Sequence, residues 1–157
     1  MSVDVLAAIR PDDWNFVLFL HVLGAMTLVG ALFLAASSLA AAWSNGSAAM
    51  TRLSYRALLW VGVPSFLLMR VSAELIADKE GLNDLDDPPA WVDIGYIFSD
   101  PGLLLLVAAT VCAGVGNRRM RDQTGDATTL DKAALVLVSI SLLIYVVAIW
   151  AMTTKPT

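Results

Sequence analysis

From Trp14 to Trp43 the chain carries no aspartate, glutamate, lysine or arginine. As a helix rising about 1.5 Å per residue, that stretch is longer than the roughly 30 Å hydrocarbon layer of a bilayer. A segment of this kind spans a membrane with tilt or protrudes from it, and nearly every other expectation follows from that. Two further runs are as apolar: residues 53–77, interrupted by Arg56, Pro64, Arg70 and Glu74, and residues 130–153, with Asp131 and Lys132 at their start. Residues 91–117 are long enough to form a fourth. The pattern predicts an all-α integral membrane four-helix bundle, a single transmembrane domain over residues 1–157 with helices at about 14–43, 53–77, 91–117 and 130–153. Composition agrees, since 58% of the 157 residues are hydrophobic and 15% charged, too apolar a balance for an ordinary soluble domain. The first run is too long for a signal peptide, and Asp4, Asp12 and Asp13 ahead of it outweigh Arg10.

Within the third run, Ser99-Asp100-Pro101-Gly102 reads as an N-cap followed by proline at a first helical position. A kink or break is therefore expected near Asp100-Pro101. Orientation follows from the cationic connections, which are retained on the cytoplasmic side. Arg52 and Arg56 flank the first connection, and Arg118, Arg119, Arg121 and Lys132 flank the third. The second connection is acidic, with Asp78, Glu80, Asp84, Asp86 and Asp87 against Lys79. Connections 44–52 and 118–129 are thus expected in the cytoplasm and both termini outside. Trp14, Trp91 and Trp150 then mark the outer interface and Trp43 the inner one.

A net charge of -4 offers no basic face for nucleic acid. The Asp84 to Asp87 run lacks the spacing of a calcium loop. Nothing matches a nucleotide-binding loop, a zinc motif or a serine-type triad. Cys112 has no partner cysteine and reads as a small buried hydrophobe.

His21 is the only histidine, and it lies about two turns below Trp14. Steps of three and four along its helix give His21, Gly24, Leu28, Ala31, Ala35, Ser38 and Ala42, a mostly small stripe suited to close helix approach. In the second helix the same steps give Arg56, Trp60, Val63, Leu67, Arg70 and Glu74, which returns Arg70 and Glu74 to the depth of His21. Asp93, Tyr96 and Asp100 in the third helix, with Tyr145 in the fourth, belong to the same outer half. Charged groups at membrane depth cost a few kcal/mol on insertion scales, so they pair, line a cavity or serve a ligand. Arg70 and Glu74 have the i, i+4 spacing of an intrahelical ion pair. Four readings of His21 stay open: a hydrogen bond to a neighbouring helix in a non-enzymatic accessory or oligomer-forming protein; an axial haem ligand with Arg70 on a propionate; a copper site with the soft donors Met26 and Met69; and proton or ion transfer with Arg70 and Glu74.

Phe19-Leu20-His21-Val22-Leu23-Gly24 with Gly30, then Arg52-Leu53-Ser54-Tyr55, then Trp91 at the start of the third helix resemble, in helix order, a group of small bacterial four-helix membrane proteins. The group includes the HemJ-type protoporphyrinogen oxidases and the CopD-like domains of copper resistance. The resemblance implies a bacterial inner (cytoplasmic) membrane location and haem b held by the histidine matched here by His21. The oxidases also carry a lysine four residues after the third-helix tryptophan, where this chain has Gly95 and an intervening Asp93. A sibling family without the oxidase's full residue set is therefore the expected kin.

Overall fold

The computed structural model describes residues 12–82, 90–122 and 129–154, with side chains from residue 15 onward apart from Trp91 and residues 120–122. Trp14, Trp91, Arg121 and the Asp84 to Asp87 run lie outside the described side chains. Four helices make up the fold: α1 (Asp12–Asn45), α2 (Ala48–Lys79), α3 (Ala90–Asp122) and α4 (Thr129–Thr154). Each contains a stretch long and apolar enough to cross a membrane: Asn15–Asn45, Ala48–Lys79, Val92–Arg119 and Thr129–Thr154. The all-α four-helix bundle expected from the sequence is what forms, its helices overrunning the expected bounds by a few residues at most ends.

α1 packs against α2 and α4, and α3 packs against α4 and the first part of α2, residues 48–57. The core between them is built from Leu28, Leu32, Leu39, Leu58, Leu106 and Val138, all fully enclosed, with Ala35, Ala109, Ala113 and Ala134 buried beside them. Alanine at these positions lets the helix backbones approach, which is how helices gain contact where lipid tails remove the hydrophobic incentive to associate. The exterior is also apolar. Phe16, Phe33, Trp60, Leu104, Leu143 and Trp150 are each more than half exposed, a surface that water would not tolerate and acyl chains match. At the end of the bundle that bears Arg52 and Arg118, Lys132 lies 5.3 Å from the centre of the Trp43 ring, a cation–π contact typical of an interface.

The turns have local causes. Gly46, at φ 61, ends α1 in the left-handed conformation that favours glycine. Ser47 then turns extended, and its carbonyl accepts from the Met50 and Thr51 amides at 3.1 and 3.3 Å. Gly81, at φ 66, closes α2 in the same way, its amide donating to the Asp78 carbonyl at 3.1 Å.

Two features depart from simple helix reading. Leu58–Gly62 inside α2 is a π turn, in which the Val63 amide donates to the Leu58 carbonyl five residues back. Pro64 follows at once; it has no N–H to donate, and its ring would clash with the carbonyl four residues earlier. A widened turn at that place relieves the clash without breaking the helix. In α3, by contrast, helix continues through Asp100 and Pro101 from Ala90 to Asp122. Of the kink or break expected at that dipeptide, the break does not occur.

Candidate functional site

α1 and α2 come into backbone contact at Gly24. A Cβ built on this glycine would fall 2.7 Å from the Met69 backbone nitrogen, so only the absence of a side chain permits the approach. One turn earlier on α1, His21 uses that proximity: its Nδ1 lies 2.9 Å from the Met69 carbonyl oxygen. A carbonyl only accepts, so Nδ1 carries the proton, and in the neutral ring the lone pair is on Nε2. The Ser72 hydroxyl lies 3.0 Å from the same Met69 carbonyl and 2.6 Å from that of Leu68. Farther along the same seam the Thr27 hydroxyl donates to the Leu23 carbonyl at 2.7 Å and lies 2.9 Å from the Ser65 hydroxyl. This seam of small and hydroxyl-bearing residues is therefore tied by polar contacts as well as by packing.

Arg70, the next residue, turns to α3 instead. Its Nη1 pairs with Glu74 Oε1 at 2.5 Å, and its Nη2 lies 3.7 Å from Asp100 Oδ1. The guanidinium also stands 4.8 Å from the centre of the Tyr96 ring, whose hydroxyl donates to Glu74 Oε2 at 3.2 Å. The halves of α2 and α3 that carry Arg70 and Tyr96 have little other packing between them, so this cluster does the joining there. One cation faces two carboxylates, and the cluster is net negative.

The sequence placed His21, Arg70, Glu74, Tyr96 and Asp100 in one outer half. His21 and Arg70 do share a level, through adjacent residues of α2, but they bond in different directions. Among the described residues no hydrogen bond or ion pair joins His21 to Arg70 or Glu74. Tyr145 belongs to the core: its hydroxyl is buried against Gly102 and has no hydrogen-bond partner there. Met26 is 68% exposed, and five residues of helix separate it from His21 by about 140° of rotation. Met69 meets His21 through its backbone.

These positions bear on what the site can hold. An imidazole fixed by a carbonyl at Nδ1 fits a metal ligand, because that bond sets the tautomer and aims Nε2. Among the described residues there is no group of three or more His, Cys, Asp or Glu side chains that could hold a metal ion. A metal at His21 would need its remaining ligands from elsewhere, and a porphyrin brings four. Arg70 fits a propionate poorly, since Glu74, Asp100 and the Tyr96 ring already engage its guanidinium.

Sequence reasoning did not single out the Met69 carbonyl, the Gly102–Tyr145 contact, or Asp131. The last is 2% exposed, with its carboxylate against Gly116. The glycines at 24, 102 and 116 were the available signal, since glycine inside a helix without a turn to make often marks close approach.

Comparison with known protein families, with curated proteins and with solved structures finds no match to this chain.

Proposed function

We propose that this multi-pass membrane protein carries haem b on His21 in a redox role. The observation that carries the reading is the bond from His21 Nδ1 to the Met69 carbonyl, which leaves the Nε2 lone pair for iron. Bound haem would supply one-electron chemistry at the metal. The chain's part is to hold the imidazole plane through Met69, with Gly24 keeping α2 close enough for that bond. The single protein nitrogen donor favours a macrocycle over a bare copper ion, and Met26 lies too far round α1 to assist.

The same reading sets the protein in the bacterial inner membrane with both termini outside. Its support is the exposed Arg52, Arg56, Arg118, Arg119 and Lys132 at one end of the bundle, against Asp78, Asp93 and Asp100 with Lys79 at the other.

A second reading has its own observation. Arg70, Glu74, Tyr96 and Asp100 satisfy one another across α2 and α3, as His21 and Met69 do across α1 and α2, so the polar groups serve assembly and the protein is a non-enzymatic accessory or oligomer-forming module.

Absorption spectra separate the two. Protein purified in mild detergent, or supplied with haem, is expected to show a Soret band in the wild type and none in His21→Asn. Asparagine can keep a donor near the Nδ1 position for Met69 but offers no imidazole nitrogen to iron. Wild-type protein that stays colourless after haem addition would remove the first reading and leave the second.

A further inference from the structure

On the lipid side of the α1–α2 seam, toward the Arg52 end, lies an open apolar groove of about 480 Å³ lined by Gly30, Leu34, Leu53, Arg56, Trp60 and Val61 among others. That volume falls in the range of about 300–1,000 Å³ usual for small-molecule sites. Two local features create it. Gly30 has nothing within 4 Å of where a Cβ would stand, so the α1 wall is missing a side chain. Trp60 and Val61 belong to the π turn Leu58–Gly62, whose wider winding displaces the α2 wall. The one charged side chain of the lining is Arg56, exposed, with Arg52 exposed one turn nearer the helix start. Trp60 follows Arg56 by one turn and is 73% exposed. The groove is apolar along its length and cationic at the end where a membrane surface would lie, which is the complement of an anionic lipid.

We propose that this groove is a binding site for an anionic glycerophospholipid of the leaflet that meets the Arg52 end of α2. An acyl chain occupies the Gly30–Val61 trough, and the phosphate is held by Arg56 with help from Arg52. The proposal does not depend on haem or on His21. Arginine suits the headgroup because its planar donors match phosphate oxygens. A zwitterionic lipid fills the trough equally well but brings its own cation to the arginines, so the headgroup sets the preference.

Native mass spectrometry of the delipidated full chain in detergent tests this, with phosphatidylglycerol and phosphatidylcholine of identical acyl chains as probes. The wild type should retain one phosphatidylglycerol with about a fivefold preference, the factor expected of one cationic side chain at an anionic headgroup. Arg56→Gln should bring the two lipids to near equality. Gly30→Leu, whose side chain enters open space, should lower retention of both while helicity by circular dichroism stays unchanged; if that variant does not fold, the headgroup ratio in wild type and Arg56→Gln decides alone. Equal retention of both lipids by the wild type would overturn the proposal, as would a folded Gly30→Leu protein that binds like wild type. A dimer that Gly30→Leu dissociates would overturn it too, by assigning the trough to a second copy of the chain.

Discussion

Gly24 rests against the backbone of Met69, and the Met69 carbonyl in turn accepts a hydrogen bond from His21 Nδ1 at 2.9 Å. Contact and hydrogen bond are one structural unit: the glycine sets the distance between α1 and α2 that the imidazole requires.

Substituting Gly24 by alanine should therefore cost stability. A methyl group 2.7 Å from a backbone nitrogen forces the helices apart, and overpacking of this kind typically costs about 1–3 kcal/mol. Unfolding in mixed detergents measures it. Unchanged stability in Gly24→Ala would mean that the helices are not held this close.

His21 should show an ordered series. Alanine and glutamine lose the donor at the Nδ1 position and should destabilise by about 0.6–2 kcal/mol, the scale of interhelical hydrogen bonds in membranes. Asparagine keeps a donor near that position and should lie closest to wild type. If all three variants unfold alike, the Met69 bond contributes nothing.

Within the cluster around Arg70 the effects should be unequal. Arg70→Met removes the only cation and leaves Glu74 and Asp100 facing each other across the α2–α3 gap, so its cost should exceed that of any other change there. Asp100 is 77% exposed and 3.7 Å from the guanidinium, so Asp100→Asn should alter stability by less than about 0.5 kcal/mol. Added salt should narrow the difference between wild type and Arg70→Met, because partly exposed charges are screened. A larger loss from Asp100→Asn than from Arg70→Met would contradict this arrangement.

Tyr145 and Gly102 should respond in opposite senses. The Tyr145 hydroxyl is buried without a partner, so Tyr145→Phe relieves an unsatisfied group and should be neutral or stabilising. Gly102→Ala drives a methyl into the same hydroxyl and should destabilise, by about 1–3 kcal/mol. The double variant Gly102→Ala with Tyr145→Phe should recover part of that loss, a coupling visible in a thermodynamic cycle.

Much of the architecture was readable in advance because lipid imposes a coarse rule: each crossing needs an uninterrupted apolar stretch, and four such stretches are visible. The stripe His21, Gly24, Leu28, Ala31, Ala35, Ser38 and Ala42 was legible for the same reason; His21 at its end is half-buried and the other members are buried. The Arg70–Glu74 pair came from their spacing alone. What periodicity does not encode is the azimuth of one helix against another. Tyr145 shared a depth with Arg70, but its side chain joins the core, and nothing in the spacing of either helix tells which neighbour a residue at a given height will meet. The bond from His21 to Met69 was equally hidden, because the acceptor is a backbone atom and leaves no trace in residue type. Proline was read only in part: the break considered at Asp100-Pro101 is absent, the helix running through it, while Pro64 coincides with a change of winding upstream.

Stepping by three and four put Arg56 and Arg70 on a single stripe, yet one lines a groove with α1 and the other bonds α3. The π turn between them accounts for the difference. It holds roughly one residue more than α geometry would, so everything beyond Gly62 lags by about 100°. α2 thereby works as two blades set at different angles on one shaft, one turning Arg56 to the groove beside α1 and the other turning Arg70 to α3. Removing a single residue from Leu58–Gly62 would realign them and swing the guanidinium of Arg70 away from Tyr96, undoing a junction more than a full turn distant without touching any of its members.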